Sequence, residues 1–567
     1  MAAKGLPPWA AISAGRKGRR LRCRRSPATT ESVDRVMIPL PATPSGFFMT
    51  NMKYEDYLSF EAILGDLMKW RLAGKDVGGS LPPRAEWKRG GFRERKDRSS
   101  EEVRRAAILR TVLRLKLDGM LETRKWGVAL RNLVDEVREA VFSGRVELQK
   151  PRKINVTKGY KEGRMEFREV ASFDRVADRI VLSRTTAYVR DVLEAMLTEH
   201  CYSFRRDGRI TYQLAVERLK EWRGRFAAGP LFVAECDIRK FFDNISHDVV
   251  RRRWGEVGFD AQAGKVLEAY LSVYATTAGR GLPQGGSFST VLANLVLAEA
   301  DAAVLRVAGE GAFYARYCDD VVFASADEAE CRRMMAAYED ALARLELPMH
   351  PVEPFVYRPA DGAKTRYYSI KSKGPFRWAA SKRGEADCAP WVSFLGCQVR
   401  YDGETRIREE SIDKHIRSLG HETAAKVREV AAGALDGKPQ NEVAKWFLGF
   451  RNRLIAKGVG YVTAKVKDCQ LCWAGAFPNV TACADTRMQM RRLDRVRNGM
   501  LTRLAGAIRA RGKATGGFAL VRHRYKGRPF SYFGFLEKAT RPTNLRAKFG
   551  GGQANMARRQ LLPYSEL

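Results

Sequence analysis

Acidic residues are scarce in this chain: 65 Asp and Glu stand against 101 Lys and Arg in 567 residues, a formal charge of +36. The deficit runs along the chain and is not confined to a tail. That implies a polyanionic partner, in the simplest case nucleic acid; the alternative is a basic soluble protein without one. A membrane surface would also attract such a charge. No apolar run approaches the roughly 18 residues a spanning helix needs, so no membrane partner is expected. The N-terminus lacks the apolar core of a signal peptide. The ten cysteines are scattered, and several sit beside apolar residues (Cys236, Cys318, Cys397). This is the usage of a reduced, cytoplasmic protein, not of a disulfide frame. A repeat of fixed period is also missing. Cys469-Gln470-Leu471-Cys472 is followed by Cys483 but by no fourth ligand, so it reads as helix packing and not as a zinc site.

What is present begins with an ordinary apolar content, 45%, enough for a large core in three or four units at roughly 150 residues each. Residues 1–50, rich in Gly, Pro, Ala and Arg, read as a disordered basic arm. From 51 to 144 the apolar spacing is helical (Tyr57, Leu58, Phe60, Ile63, Leu64; Ile108, Val112, Leu115; Leu130, Leu133, Val137, Val141), with a polar break at 78–100. Residues 145–170 alternate and carry Lys150, Arg152, Lys153, Lys158, Lys161, Arg164 and Arg168, the pattern of short basic strands that grip phosphates. Helices are predicted at 174–198 and 212–225. Leu231 to Cys236 is a buried strand that delivers Asp237 at its end. A flexible loop, Gly281-Leu282-Pro283-Gln284-Gly285-Gly286-Ser287, opens a helix with Ser289 or Thr290 as N-cap. Phe313 to Phe323 reads as a hairpin around Tyr317-Cys318-Asp319-Asp320, and a helix follows to 345. Strands are predicted at 355–357, 367–370 and 391–399, the last turned back by Arg400 to Arg406. Residues 411–508 are helical and basic. The tail from 511 shows short strands at 518–521 and 530–533.

Asp319 and Asp320 alone could be a solvated turn. Two like charges this close repel, however, and a cation is the natural way to keep both ionised. Asp237 lies some 80 residues earlier, too far for a local Ca²⁺ loop. Distant carboxylates on neighbouring strand ends can instead share two metal ions and serve in-line displacement at phosphorus, a reaction that asks a protein mostly for positioning and charge neutralisation.

Four stretches in this order resemble a known family. Ala234-Glu235-Cys236-Asp237-Ile238-Arg239-Lys240-Phe241-Phe242-Asp243-Asn244-Ile245 is similar to the first catalytic motif of reverse transcriptases. Gly281 to Gly285 with Ser289, Leu292, Asn294 and Leu295 is similar to the second. Tyr317 to Asp320 resembles the Tyr-X-Asp-Asp third, and Phe394-Leu395-Gly396 the primer-grip motif. Asp174-Arg175 to Ile180 and Tyr202-Ser203-Phe204-Arg205 resemble the fingers of bacterial reverse transcriptases of the group II intron and retron lineage. The likeness covers roughly residues 145–415.

The resemblance implies an α+β chain with a right-hand polymerase fold. Fingers and a palm on an antiparallel sheet would occupy 145–410, a helical thumb 411–510, and mostly helical extensions 51–144 and 511–567. It implies that Asp237, Asp319 and Asp320 are catalytic and hold two Mg²⁺, with Mn²⁺ able to substitute. Phe242 falls where an aromatic ring would exclude a ribose 2′-OH. Gln284 and Gly285 would line the nucleotide pocket, Arg168 and Lys153 would reach its triphosphate, and Phe394, Leu395 and Gly396 would hold the primer end. The implied partners are an RNA template, a DNA primer or product, and dNTPs. One departure is chemical: after Leu347-Pro348-Met349-His350 no lysine follows until Lys364, which leaves the usual lysine of the fourth motif in doubt. The junction Ser393 to Ile412 resembles that of defence-associated bacterial relatives, the unknown-group and abortive-infection enzymes. An antiphage role with a dedicated non-coding RNA is therefore expected. Retroelement mobility and a non-catalytic RNA-binding protein on this fold are the alternatives.

Overall fold

The structure is a computed structural model that describes residues 53–88, 100–161, 164–208, 210–226, 229–274, 279–353, 370–380, 388–459, 479–517 and 531–539. The basic arm, the strands expected at 355–357 and 518–521, residues 367–369, Lys364 and the Cys469/Cys472 pair lie outside these residues.

The N-terminal part is helical: α1 (Tyr54–Tyr57), α2 (Phe60–Leu72), α3 (Arg84–Lys88), α4 (Ser100–Leu117) and α5 (Lys125–Phe142). The third lies inside the stretch expected to be an irregular break. Ser59 caps α2 by accepting from the Ala62 amide, which satisfies one of the donors every helix start leaves open. Next comes a long hairpin, β1 (Arg152–Lys161) and β2 (Arg164–Ser172), then α6 (Val176–Glu194) and α7 (Tyr212–Gly224). The helical extension is fastened to α6. Arg184 makes a two-pronged ion pair with Asp66 at 2.8 Å, the Tyr57 hydroxyl donates to Asp191, and Arg179 stacks over Trp70.

The central part runs β3 (Leu231–Cys236), α8 (Phe241–Asn244), α9 (His247–Val257), α10 (Ala261–Val273), α11 (Ser287–Val307), β4 (Phe313–Tyr317), β5 (Asp320–Ser325) and α12 (Glu328–Arg344). Six further strands follow among the described residues: β6 (Val352–Glu353), β7 (Ser372–Trp378), β8 (Cys388–Ala389), β9 (Trp391–Phe394), β10 (Cys397–Arg400) and β11 (Thr405–Ile407). The main sheet has the order β4-β5-β3-β7-β6, with β8 beside β7, and β9, β10 and β11 make a second, three-stranded sheet. The three central pairings are antiparallel, and only the short β6 and β8 run parallel to β7. Alternation of side chains across a strand divides β3 between two cores. Ala234 and Cys236 join a large core with α6, α9, α11 and α12. Leu231 and Val233 join a second core with α7, β7 and β9. Asp237, at odd parity, projects on the second side.

Several boundaries differ from expectation, each for a physical reason. Helix α11 starts at Ser287 with Gly286 as its uncapped N-cap. Ser289 lies inside it, and its hydroxyl donates to the Pro283 carbonyl and pairs with the Tyr270 hydroxyl. By composition α11 is long and apolar enough to cross a membrane, contrary to the reading that nothing is, but 78% of that window is buried inside the protein. Residues 391–399 are two strands, because Leu395 and Gly396 both take positive φ (49° and 79°), as a two-residue type I′ turn requires. The last part is helical as expected: α13 (Glu409–Ala431), α14 (Gln440–Val459) and α15 (Ala484–Thr515). The strand expected at 530–533 is instead the start of α16 (Tyr532–Ala539). Asp494 on α15 accepts from Ser531 and from the Tyr532 and Phe533 amides, a cap supplied from another helix that local pattern does not show. The seven described cysteines are all buried, and none of them forms a disulfide.

Candidate active site

The ladder between β3 and β5 decides the geometry. Cys236 pairs with Val321, and Glu235 with Val322. Continued by one step, the same ladder leads from Cys236–Val321 to Asp237 and Asp320, and the Asp237 charge acts on Asp320. Asp319 is the second residue of the two-residue turn between β4 and β5, whose strands close at Tyr317 and Asp320. The turn is held by Cys318, buried, in the left-handed region at φ 58°. The sequence thus brings together three acids separated by 80 residues.

Beneath the turn lies a fully buried polar cluster. The Arg316 guanidinium donates to both Asp301 oxygens at 2.6 Å and to Asn294 at 3.2 Å. Tyr314 also donates to Asp301, and Asn294 joins Ser203 through its side chain and main chain. A buried charge pair survives only when its remaining lone pairs and protons are satisfied. This cluster meets that demand and ties β4, α11 and the Cys201–Ser203 turn into one body. Asn294 and Ser203 belong to motifs noted in the sequence; Arg316 and Asp301 were missed.

Charge at the turn is unbalanced. Burial, and then the neighbouring Asp237, raise Asp319 above the usual carboxylate range. Asp320 is pushed up to about 7 by burial first, and then by Asp319 and Asp237. Its side chain is open to solvent yet walled by protein, the situation of a group in a cleft. Lys371 answers part of this charge. Its ammonium donates to Asp237 Oδ2 at 2.5 Å, and the Asp237 amide donates to Ser372 Oγ. The second lysine of that stretch, Lys373, is buried and donates to Glu235 at 2.5 Å. Neither lysine was singled out from sequence. The signal was available as two matched alternations, Glu235-X-Asp237 and Lys371-X-Lys373, but only the pairing of β3 with β7 connects them.

The glycine loop is stitched to the first motif. Leu282 N donates to Phe242 O at 2.8 Å, Gly281 N to Ile245 O at 2.9 Å, and Gln284 Nε2 to Asp243 at 3.4 Å. Phe242, Gln284 and Gly285 are therefore neighbours. Gly285 has φ +94°, and a Cβ there would stand 2.3 Å from Val170 Cγ1 on β2, so backbone conformation and close approach both demand glycine. The hairpin separates two residues expected to work together. The register pairs Val156 with Arg168 and Lys153 with Ala171, which puts Arg168 on the Val170 face and Lys153 on the other, where it pairs with Glu169 at 2.8 Å. One surface cannot present both. Phe394 is buried in the second core, Leu395 is half-buried, and the Gly396 carbonyl accepts from the Arg408 amide at the entrance to α13. Arg408 in turn acts on Asp320, which it lowers slightly against the other causes.

The family described as reverse transcriptase, an RNA-dependent DNA polymerase, matches residues 161–352. Those residues are a reverse transcriptase domain. The described chain around it mixes helix and sheet, and the β4-β5-β3-β7 sheet carries the three acids at one end. The COX1/OXI3 intron 1 protein of Saccharomyces cerevisiae is 30% identical over 131 residues, 22% of this chain. The chain spans only 15% of that relative's length. Telomerase from Candida albicans overlays 81% of this chain and 80% of its own at 12% identity and a TM-score of 0.33. Telomerase from Candida tropicalis overlays 50% and 60% at 10% identity and 0.29. Neither overlay adds to the fold argument.

Among the described residues no three His, Cys, Asp or Glu side chains form a ready metal cage. The donor set nevertheless suits one. Three carboxylates crowd one strand end, two of them held above their usual range by burial and then by one another's charge, and hard oxygen donors match a hard divalent cation.

Proposed function

We propose that this chain is an RNA-directed DNA polymerase that adds dNTPs to a primer end. The observation that carries the reading is the row Asp237–Asp320 beside the Asp319 turn, inside a reverse transcriptase domain. Asp237, Asp319 and Asp320 would hold divalent ions, with Mg²⁺ the proposed metal. When bound, such ions neutralise the triphosphate and stabilise the attacking and leaving oxygens. The chain's own residues orient the reactants. Phe242, on the short α8 beside the glycine loop, is placed to test the sugar for a 2′-OH. Gln284 and the Gly285 backbone form the floor of the nucleotide site. Arg168 is placed on the hairpin face that approaches this loop. Phe394 to Gly396 make a rigid turn, fit to hold a primer end.

Primer extension on poly(rA)/oligo(dT) with Mg²⁺ tests the reading. Wild type extends, and Asp319→Asn/Asp320→Asn falls to background while it still binds RNA. Equal extension by both would end it. For biological role we propose antiphage defence with a dedicated non-coding RNA, supported by the likeness of Ser393 to Ile412 to defence-associated relatives. Phage titres on cells carrying wild type or the double variant decide it; equal titres count against defence. The stretch shared with a yeast intron protein favours a second reading, retroelement mobility.

A further inference from the structure

Across three neighbouring strands one face of the main sheet presents Lys371, Asp237 and Asp320 in a row, with Lys373, Glu235 and Val322 in the row behind. A bulge produces this alignment. Val233 pairs with Phe376 but Glu235 pairs with Lys373, so β7 spends three residues where β3 spends two. The extra residue, at Gly374-Pro375, reverses which side chains of β7 face the second core. Without it Lys373 and Lys371 would point away from the acids. The two rungs differ in freedom. Lys373 is sealed, its side chain 2% exposed against Glu235, whereas the Lys371 side chain is 64% exposed while it reaches Asp237. A sealed lysine is a fixed part of the sheet. A half-open one, on a four-carbon stem, can leave.

We infer that Lys371 is a resident counter-ion of the metal-free site: its ammonium holds the Asp237 carboxylate until a divalent cation displaces it. The inference rests on reading the three acids as a metal site, and it makes Lys371 a positioning residue and not a ligand. While the ammonium is bound, Asp237 keeps its place at the strand end despite two like charges beside it. When a dication enters, the same oxygen changes partner, and Lys371 swings into the cleft.

Acetylation of the full-length, EDTA-treated protein, read at single lysines by mass spectrometry, tests this with Ca²⁺ as the probe. Calcium is expected to raise the rate at Lys371 about fivefold, the competition a partly exposed ion pair can offer, and to leave buried Lys373 slow. In Asp237→Asn, Lys371 is expected to react at the fast rate with no calcium present. Lys371→Met is expected to bind Mn²⁺ about fivefold tighter than wild type by electron paramagnetic resonance. If calorimetry shows Ca²⁺ binding and the Lys371 rate does not change, the inference is overturned while the metal-site reading stands. Equal or weaker Mn²⁺ binding by Lys371→Met overturns it as well. If neither ion binds wild type or variant, the metal site falls and takes the inference with it.

Discussion

At the scale of single residues the site is a problem of uncompensated charge. Burial first, and then two neighbouring carboxylates, push Asp320 up to about 7 from an ordinary 3.8, because both disfavour the anion. The folded state therefore binds this proton more tightly than the unfolded chain does. Its contribution to stability is present below about pH 4 and is withdrawn as pH rises toward 7. Asp320→Asn removes the withdrawal. Thermal melts in EDTA should show the variant more stable than wild type at pH 8, with the gap closing toward pH 4. The gain should be on the order of 1 kcal/mol, well under what the whole shift would imply, because Asp320 is open to water. A gap between variant and wild type no larger at pH 8 than at pH 4 would mean the crowding is relieved elsewhere. The three aspartates were legible in the sequence because Asp237 closes an apolar run and Asp319 and Asp320 break one hairpin between two apolar segments. Lys371, Lys373, Arg316 and Asp301 were not, because their partners lie 134, 138 and 15 residues away and only strand pairing or a buried helix face brings them in.

Elements were legible where period alone decides and illegible where a neighbour does. The longer helices of the N-terminal extension, α2, α4 and α5, and β3 and the Asp-Asp hairpin follow from apolar spacing. The turn at Leu395-Gly396 was hidden by a leucine in a position that favours Asn or Gly, and α16 by a cap that comes from Asp494. Strand β7 begins at Ser372 and carries a bulge that no alternation announces. The contact of β2 with the glycine loop is the most consequential of these neighbour effects. The Ala171 amide donates to the Gln284 carbonyl at 2.9 Å, and Val170 fills the space a side chain at 285 would need. Gly285→Ala should lose about 2 to 4 kcal/mol, overpacking added to a left-handed backbone, read as a lower denaturant midpoint at unchanged slope. Adding Val170→Ala should recover the steric share and leave the backbone share, so the two substitutions will not add. Simple additivity would show that hairpin and loop do not touch in solution.

For the whole molecule the governing quantity is +36, and its use depends on where the charge is already spent. Many cations are committed inside the protein: Arg184 to Asp66, Arg316 to Asp301, Lys373 to Glu235. On the hairpin Lys153 is committed to Glu169, while Arg168 stands on the opposite face, with Val170 and the glycine loop. A chain that grips a strand by its phosphates releases counterions, so its affinity for a homopolymeric RNA should fall steeply with salt. The loss should be about 300-fold to 10⁴-fold between roughly 50 and 200 mM if six to ten phosphates are held on a single strand. Each cation that takes a phosphate adds about 0.7 to the slope on a single strand. Arg168→Ala should therefore flatten the plot by about that amount, and Lys153→Ala should hardly change it, because its charge is balanced before RNA arrives. Titrations of the two variants at four salt concentrations separate the cases. Equal flattening by both would mean that Glu169 gives up Lys153 on binding and that the hairpin grips with both faces. No flattening by either would move the phosphate contacts off the hairpin, to the basic helices after residue 411.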